Sequence, residues 1–256
     1  MEKRLTFNTD EEKYDKYRPL YPSELYADIL DYCGKKPRSA IEIGIGTGQA
    51  TLPFLENGIP VTAVELGDRL SAFAAKKYGN YRGFRIITGD FMTVSTEADL
   101  ARAELIYCAT AFHWLPNPER YRCIKELLAP NGTLALFWNH PFPNRESDPT
   151  NAVNMQVYSK HRPGSAPQRE FSEYDLARYI SELEENGFRD VTAHIYRRTR
   201  TLSADDYIGL INTYSDHIAL PKEQRQAFER DMLEGLSNVG GRINIYDTID
   251  LYLAKI

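Results

Sequence analysis

The sequence is poor in the features that mark several functional classes. Only three cysteines occur in 256 residues, Cys33, Cys108 and Cys123. They fall at no metal-ligand spacing and suggest no disulfide framework, so a structural or catalytic metal is not expected. Positive charge is not in excess: 31 Lys and Arg stand against 36 Asp and Glu, a net charge of −5. Such a balance carries no overall footprint for a polyanion, and nucleic acid is not an expected partner. The one basic cluster, Tyr196-Arg197-Arg198-Thr199-Arg200, reads as the decoration of a solvated strand end. No apolar run is long enough to span a bilayer and no signal-peptide pattern is visible, so no membrane partner is expected. The thiols read as reduced and the chain as cytoplasmic. Internal repeats and low-complexity stretches are absent. The length suits one α/β domain of ordinary size with room for a cap.

What is present is concentrated in residues 40–51, AIEIGIGTGQAT. Ala40 to Ile43 form a short apolar run interrupted by one acid, Glu42, which on its own also reads as a strand acid exposed on one face. Gly44, Gly46 and Gly48 follow at every second position, and a helix-like stretch opens at Thr51. A buried strand turning through glycines into a helix makes a nucleotide-binding corner, because backbone without a Cβ can approach a ligand closely. The dinucleotide fingerprint G-x-G-x-x-G is not met: the third glycine falls one residue early and Gln49 occupies its place.

Later segments follow in the order of a Rossmann-like fold. A second apolar run, Pro60 to Val64, ends in Glu65. That acid lies about 20 residues beyond the first glycine, where such a fold puts a carboxylate for ribose hydroxyls; the alternative is a loop or N-cap acid before a helix near Asp68. A third strand, Phe84 to Thr88, runs into Gly89-Asp90-Phe91. Asp90 suits an adenine amino group and Phe91 the ring, the alternative for Asp90 being a plain Asx turn. A fourth strand, Glu104 to Ala109, precedes Thr110-Ala111-Phe112-His113-Trp114. A fifth, Thr133 to Trp138, follows the turn Pro130-Asn131-Gly132.

From about residue 38 to 138 this pattern resembles the core of class I S-adenosylmethionine (SAM)-dependent methyltransferases, in particular the type 11-like relatives that include the ubiquinone/menaquinone-biosynthesis and trans-aconitate methyltransferases. Glu42, the three glycines, Glu65, Asp90, the aromatic-His-Trp after strand four and the Pro-Asn-Gly before strand five all fall in family order. Ala103-Glu104 departs from it, since an Asp is usual there. The resemblance implies SAM as cofactor and a cofactor set of Glu42, Gly44, Gly46, Gly48, Glu65, Leu66, Asp90, Phe91 and Ala109. It also implies a Rossmann-like, mostly parallel sheet of seven strands with an antiparallel last strand, helices on both faces and helical cap insertions.

The flanking segments supply the expected cover. Residues 1–34 hold the run Tyr14-Asp15-Lys16-Tyr17-Arg18-Pro19-Leu20-Tyr21-Pro22 and a helix from Glu24 to Tyr32, capped by Ser23 and stopped by Gly34. This lead-in resembles the family's lid over the SAM site. Arg18 is then a partner for the methionine carboxylate, or a surface Arg packed on tyrosine rings. The cofactor-binding core is expected over 35–139 and a cap or lid insertion over 140–173, which holds five of the 14 prolines around a helix-like stretch at 152–160. The remainder, 174–256, reads as a helix Tyr174–Asn186 ended by Gly187, strand six at 190–201, two inserted helices within about 203–238 (204–215 and 222–237), and a last strand Ile243–Ala254 with antiparallel alternation.

For the reaction, His113 is the candidate base because it follows strand four and titrates near neutrality; the alternative is that His113 and Trp114 wall the adenine or the substrate. Tyr17, Trp114 and His140 are the expected substrate neighbours. His161 and His217 rank lower, and His194 reads as structural. The favoured function is methyl transfer from SAM to a small-molecule acceptor. Methylation of protein or RNA is the alternative, although the Asn-Pro-Pro-Tyr type motif of base amino-group methylation is absent. So is an NAD(P)-dependent oxidoreductase, against which stand Gln49 and the lack of a Tyr-x-x-x-Lys pair after strands four and five. The sequence is silent on oligomeric state.

Overall fold

Alternating strands and helices build the first half of the chain. The computed structural model describes residues 10–97, 100–163 and 168–256. In chain order the elements are α1 (Glu11–Tyr17), α2 (Ser23–Cys33), β1 (Ala40–Ile43), α3 (Leu52–Glu56), β2 (Val61–Glu65), α4 (Asp68–Tyr78), β3 (Phe84–Thr88), α5 (Phe91–Glu97) and β4 (Ala103–Ala109). There follow α6 (Glu119–Leu127), β5 (Leu128–Phe142), α7 (Asn151–His161), α8 (Ala177–Glu185), β6 (Arg189–Ser203), α9 (Ala204–Ile211), α10 (Ser215–Ile218), α11 (Lys222–Ser237) and β7 (Arg242–Lys255).

The seven strands form one sheet in the order β3-β2-β1-β4-β5-β7-β6. Neighbours from β3 to β5 pair in parallel, and β7 runs antiparallel to both β5 and β6. This is the Rossmann-like sheet with a reversed last strand that the sequence implies. The central strands are apolar on both faces, as buried parallel strands require. Because side chains alternate along a strand, Ile106 and Cys108 of β4 enter one core with Tyr121, Ile124 and Leu183, while Leu105 and Tyr107 enter the other with Leu25, Ile29 and Phe54. Strand order reverses between β1 and β4, and ligands of open α/β sheets bind in the crevice beyond that point.

The second half departs from the expected outline in two ways. The insertion before β7 is three helices, not two. Thr213 Oγ1 donates to the Leu210 carbonyl at 2.6 Å and the Tyr214 N–H donates to the Ile211 carbonyl, so the chain turns between α9 and α10. In place of one helix from 174, a 3₁₀ turn at Glu173–Leu176 with a Ser172/Asp175 capping box precedes α8. Within the segment 140–173, β5 continues to Phe142 and α7 follows. Its helix α7 packs on α9 and α11 through Val157, Tyr207, Ile211, Phe228, Met232 and Leu236, a third core separate from the two that flank the sheet.

Candidate functional site

The ends of β1, β2, β3 and β4 converge on one cavity of about 320 Å³, within the size range of small-molecule sites. Its floor is Gly44 and Gly46, Glu65 and Leu66, Asp90 and Phe91, and Ala109 to Ala111, with His113 and Trp114 at one end. Its roof comes from far away in sequence: Tyr14 and Arg18, and Tyr214, Ser215 and Asp216. A recess of about 100 Å³ adjoins it, sharing Gly44, Ala109, Thr110, Arg18 and Tyr214 and reaching Glu42, Tyr21, Asn139 and Pro141.

The glycine loop is held from two sides. Gly44 adopts φ 69°, and a Cβ there would lie 2.7 Å from that of Ala111, so only glycine lets β1 and the turn after β4 approach. Gly48 does different work. It is not among the lining residues, and a Cβ on it would fall within the Tyr78 ring, whose hydroxyl donates to the Gly48 carbonyl at 2.7 Å. Gly48 thus seats the loop on α4 and does not face the cavity.

Two acids lie beneath and beside the loop. Glu65, the last residue of β2, is 8% exposed. Its Oε2 accepts the Gly46 N–H at 2.8 Å and its Oε1 the Gly67 N–H at 2.9 Å. Burial pushes its carboxyl up, against the lowering effect of these bonds. Glu42 is not an exposed strand acid: it is 1% exposed. Its Oε2 accepts from the Thr51 hydroxyl at 2.7 Å and from the Tyr107 hydroxyl at 2.8 Å. Burial pushes its pKa up to about 8. Asp90 makes the Asx turn, its Oδ1 accepting the Met92 N–H at 3.0 Å, and the residue also lines the cavity beside Phe91.

On the roof, Tyr14 and Arg18 are one helical turn apart and share a face of α1. Arg18 Nη2 donates to the Thr213 carbonyl at 2.7 Å, and its guanidinium lies between the rings of Tyr14 and Tyr214 at 5.0 and 4.7 Å. It is both packed on tyrosines and in contact with the cavity. Tyr17 is absent from the lining residues of both cavities. Turned by about 100° from Arg18, its ring lies against Gly209 of α9. Tyr14 therefore stands where Tyr17 was expected.

Thr110 marks the end of β4. It is β-branched yet has φ 55°, a conformation that costs about 1–3 kcal/mol. Its N–H donates to the Phe137 carbonyl at 2.8 Å and its hydroxyl bonds Tyr21 at 2.7 Å, which hold it in place. His113 follows in a 3₁₀ turn, and its Nδ1 accepts the indole N–H of Trp138 at 3.2 Å. Burial, then Arg120 and Arg178, hold its pKa below the usual histidine value. His140 lies outside both cavities: its Nε2 is 3.0 Å from the buried Asp250 carboxylate and its ring stacks on Phe171. Tyr21, Thr110, Tyr214, Ser215 and Asp216 were not anticipated from sequence. Thr110 and Tyr21 lay within motifs already noticed, whereas nothing in the chain order marks 214–216.

Among the described residues no group of three or more His, Cys, Asp or Glu is placed to hold a metal ion, and no helix is long and apolar enough to cross a membrane. The donor set suits a nucleoside joined to an amino acid. Acceptor carboxylates stand at the ends of successive strands, a glycine cradle lies between them, and a guanidinium faces from the roof.

Comparison with known proteins agrees with this geometry. Residues 41–136 match a family described as a methyltransferase domain. Over 254 residues the chain is 27% identical to an uncharacterised methyltransferase of Schizosaccharomyces pombe, covering 98% of this chain and 94% of that one. A structure from Anaeromyxobacter dehalogenans assigned as a type II methyltransferase superposes with a TM-score of 0.64 at 16% identity, covering 93% of this chain and 98% of the other. Phosphoethanolamine N-methyltransferase 2 of Haemonchus contortus, solved with S-adenosyl-L-methionine, superposes with a TM-score of 0.52 at 12% identity, covering 97% and 57% respectively. At these identities the two structural likenesses carry the fold alone. The methyltransferase domain sets aside the oxidoreductase reading.

Proposed function

Since this chain is a class I SAM-dependent methyltransferase, we propose that its methyl acceptor is a small molecule held between the sheet edge and the roof formed by α1 and residues 214–216. SAM supplies a methyl carbon activated by a positive sulfur, so the leaving group departs neutral. The chain's own part is binding, orientation and exclusion of water, and well-aligned reactants gain about 7–11 kcal/mol from such positioning. Glu65 accepts from ribose hydroxyls and Asp90 from the adenine amino group, with Phe91 against the ring and Leu66 beside it. Gly44, Gly46 and Ala109 let backbone approach the amino-acid end, and Arg18 meets its carboxylate with a planar fork. Gly48 and Glu42 act indirectly, one by seating the loop on α4 and the other by tying β1 to Thr51 and Tyr107. His113 and Trp114 wall the acceptor end.

The observation that supports this reading is the roof. A cavity of about 320 Å³ roofed on one side by Tyr14, Arg18 and Tyr214 suits a metabolite, whereas a protein or RNA acceptor needs a wide approach to the same strand ends. Calorimetric titration is expected to show binding of SAM and S-adenosylhomocysteine and none of NAD. Methyl transfer from labelled SAM is expected into a low-molecular-weight metabolite fraction. Label confined to protein or RNA, with metabolites unlabelled, overturns the small-molecule acceptor.

A further inference from the structure

We infer that His113 is a fixed hydrogen-bond donor for an ionised oxygen of the acceptor, and not the base of the reaction. The inference rests on the small-molecule reading above and adds the chemical class of the acceptor. An indole N–H is a donor only. Because Trp138 Nε1 donates to His113 Nδ1 at 3.2 Å, Nδ1 presents its lone pair to Trp138. In a neutral imidazole the proton then resides on Nε2. His113 lines the cavity, so the polar group it offers there is Nε2–H. A ring in this tautomer cannot take a proton at Nε2. Taking one at Nδ1 would break the bond to Trp138 and set two N–H groups against each other.

The charge behind His113 bears on its protonation. The turn that carries it is held by Arg120, which is 3% exposed and donates from Nη1 to the carbonyls of Phe112 and Leu115 at 3.2 and 3.4 Å. Arg120 Nη2 lies 2.7 Å from Glu182 Oε2, and Arg178 Nε lies 3.0 Å from Glu182 Oε1. Two guanidinium groups thus share one carboxylate behind the turn. His140 faces the same corner from β5 but is engaged with Asp250. Arg120 and Arg178 oppose protonation of His113 and keep its free edge a neutral donor, while the carboxylates of Glu65, Asp90 and Asp216 line other parts of the same cavity. An acceptor bearing a carboxylate or a comparably ionised oxygen accepts from this donor, whereas a cationic amine, which has donors only, cannot.

The test uses the full chain with ¹⁵N-labelled histidine and bound S-adenosylhomocysteine, His113 being assigned by the signal lost in His113→Gln. At pH 7.5 the ring is expected as the neutral Nε2–H tautomer. Sodium acetate, used as the ionised-oxygen probe, is expected to move the Nε2 proton downfield to saturation, while equal sodium chloride does not. In Trp138→Phe the Nδ1–H tautomer is expected to appear. An imidazolium or an Nδ1–H ring in the unsubstituted protein overturns the inference, and so does a correct tautomer with no acetate-specific shift. These results are separable from failure of the broader reading, which would show as no binding of S-adenosylhomocysteine in calorimetry.

Discussion

Glu65 Oε2 accepts the backbone N–H of Gly46 at 2.8 Å, so the acid at the end of β2 braces the glycine loop that follows β1. Its other oxygen accepts the Gly67 N–H. Both oxygens face donors, which makes the carboxylate more demanding than its shape. In Glu65→Gln the amide nitrogen meets a backbone N–H donor-to-donor, and a bond to a charged group of roughly 1.5–3 kcal/mol is lost. Glu65→Gln is therefore expected to weaken S-adenosylhomocysteine binding about tenfold or more, nearly as much as Glu65→Ala. Calorimetry checks this, and near-normal affinity in the glutamine variant contradicts the assignment.

The contact of Tyr17 with Gly209 joins the Glu11–Arg69 and Asp15–Lys77 pairs in seating α1, which carries Tyr14 and, at its C-cap, Arg18 over the cavity. Gly209→Ala has two opposed effects. Alanine favours a helix interior by about 1 kcal/mol over glycine, but its methyl group displaces the Tyr17 ring. The expected outcome is unchanged or higher thermal stability with lower cofactor affinity, by roughly fivefold for a displacement costing about 1 kcal/mol. Unfolding temperature and calorimetric affinity on one sample separate the two. A fall in stability with intact affinity would refute it.

Glu42 imposes a pH dependence on folding. Its carboxyl is raised by burial from 4.5 to about 8, so the folded state holds its proton more tightly than the unfolded chain. That contribution is complete below 4.5 and is lost as pH rises through about 8. Glu42→Gln carries no charge at any pH. Urea unfolding at pH 5 and pH 9 is expected to show a smaller loss of stability with rising pH in Glu42→Gln than in the parent protein. Parallel pH profiles would count against a buried, protonatable Glu42.

His217 works in the opposite direction. It is 1% exposed, bonded to the Tyr158 hydroxyl at 2.9 Å, and its pKa is lowered by burial from 6.5 to about 4. The unfolded chain binds this proton more readily, so stability is complete above 6.5 and declines as pH falls towards 4. Because His217 packs on Phe228 and Tyr158, acid is expected to loosen the α7–α11 core before the sheet. Amide hydrogen exchange at pH 7 and pH 5 checks this through protection in α11, with His217→Gln showing the smaller change. Equal changes in the two proteins would exclude His217 as the cause.

Much of the architecture was legible along the chain because local constraints encode it. Continuous apolar runs mark strands buried on both faces, and glycines mark the turn after β1, since backbone there takes conformations other residues resist. Glu65 could be located by its spacing from the first glycine, and Asp90 by the Gly-Asp-Phe that follows the third apolar run. What escaped was decided by packing between segments distant in sequence. Tyr14 and Tyr17 are both tyrosines on one helix, and the docking of that helix, with Tyr17 on Gly209 and Glu11 and Asp15 paired to Arg69 and Lys77 of α4, leaves Tyr14 facing the cavity. Residues 214–216 reach the roof because the chain turns at Thr213, which Arg18 then grips. Gly48 looks like its neighbours in sequence but meets Tyr78. The proton position on His113 depends on Trp138, which a separate strand brings to its ring. Residue type along the chain determines which backbone shapes are cheap; which side chain faces the ligand depends on tertiary contacts, because a rotation of one helix face exchanges one tyrosine for another at no change in composition.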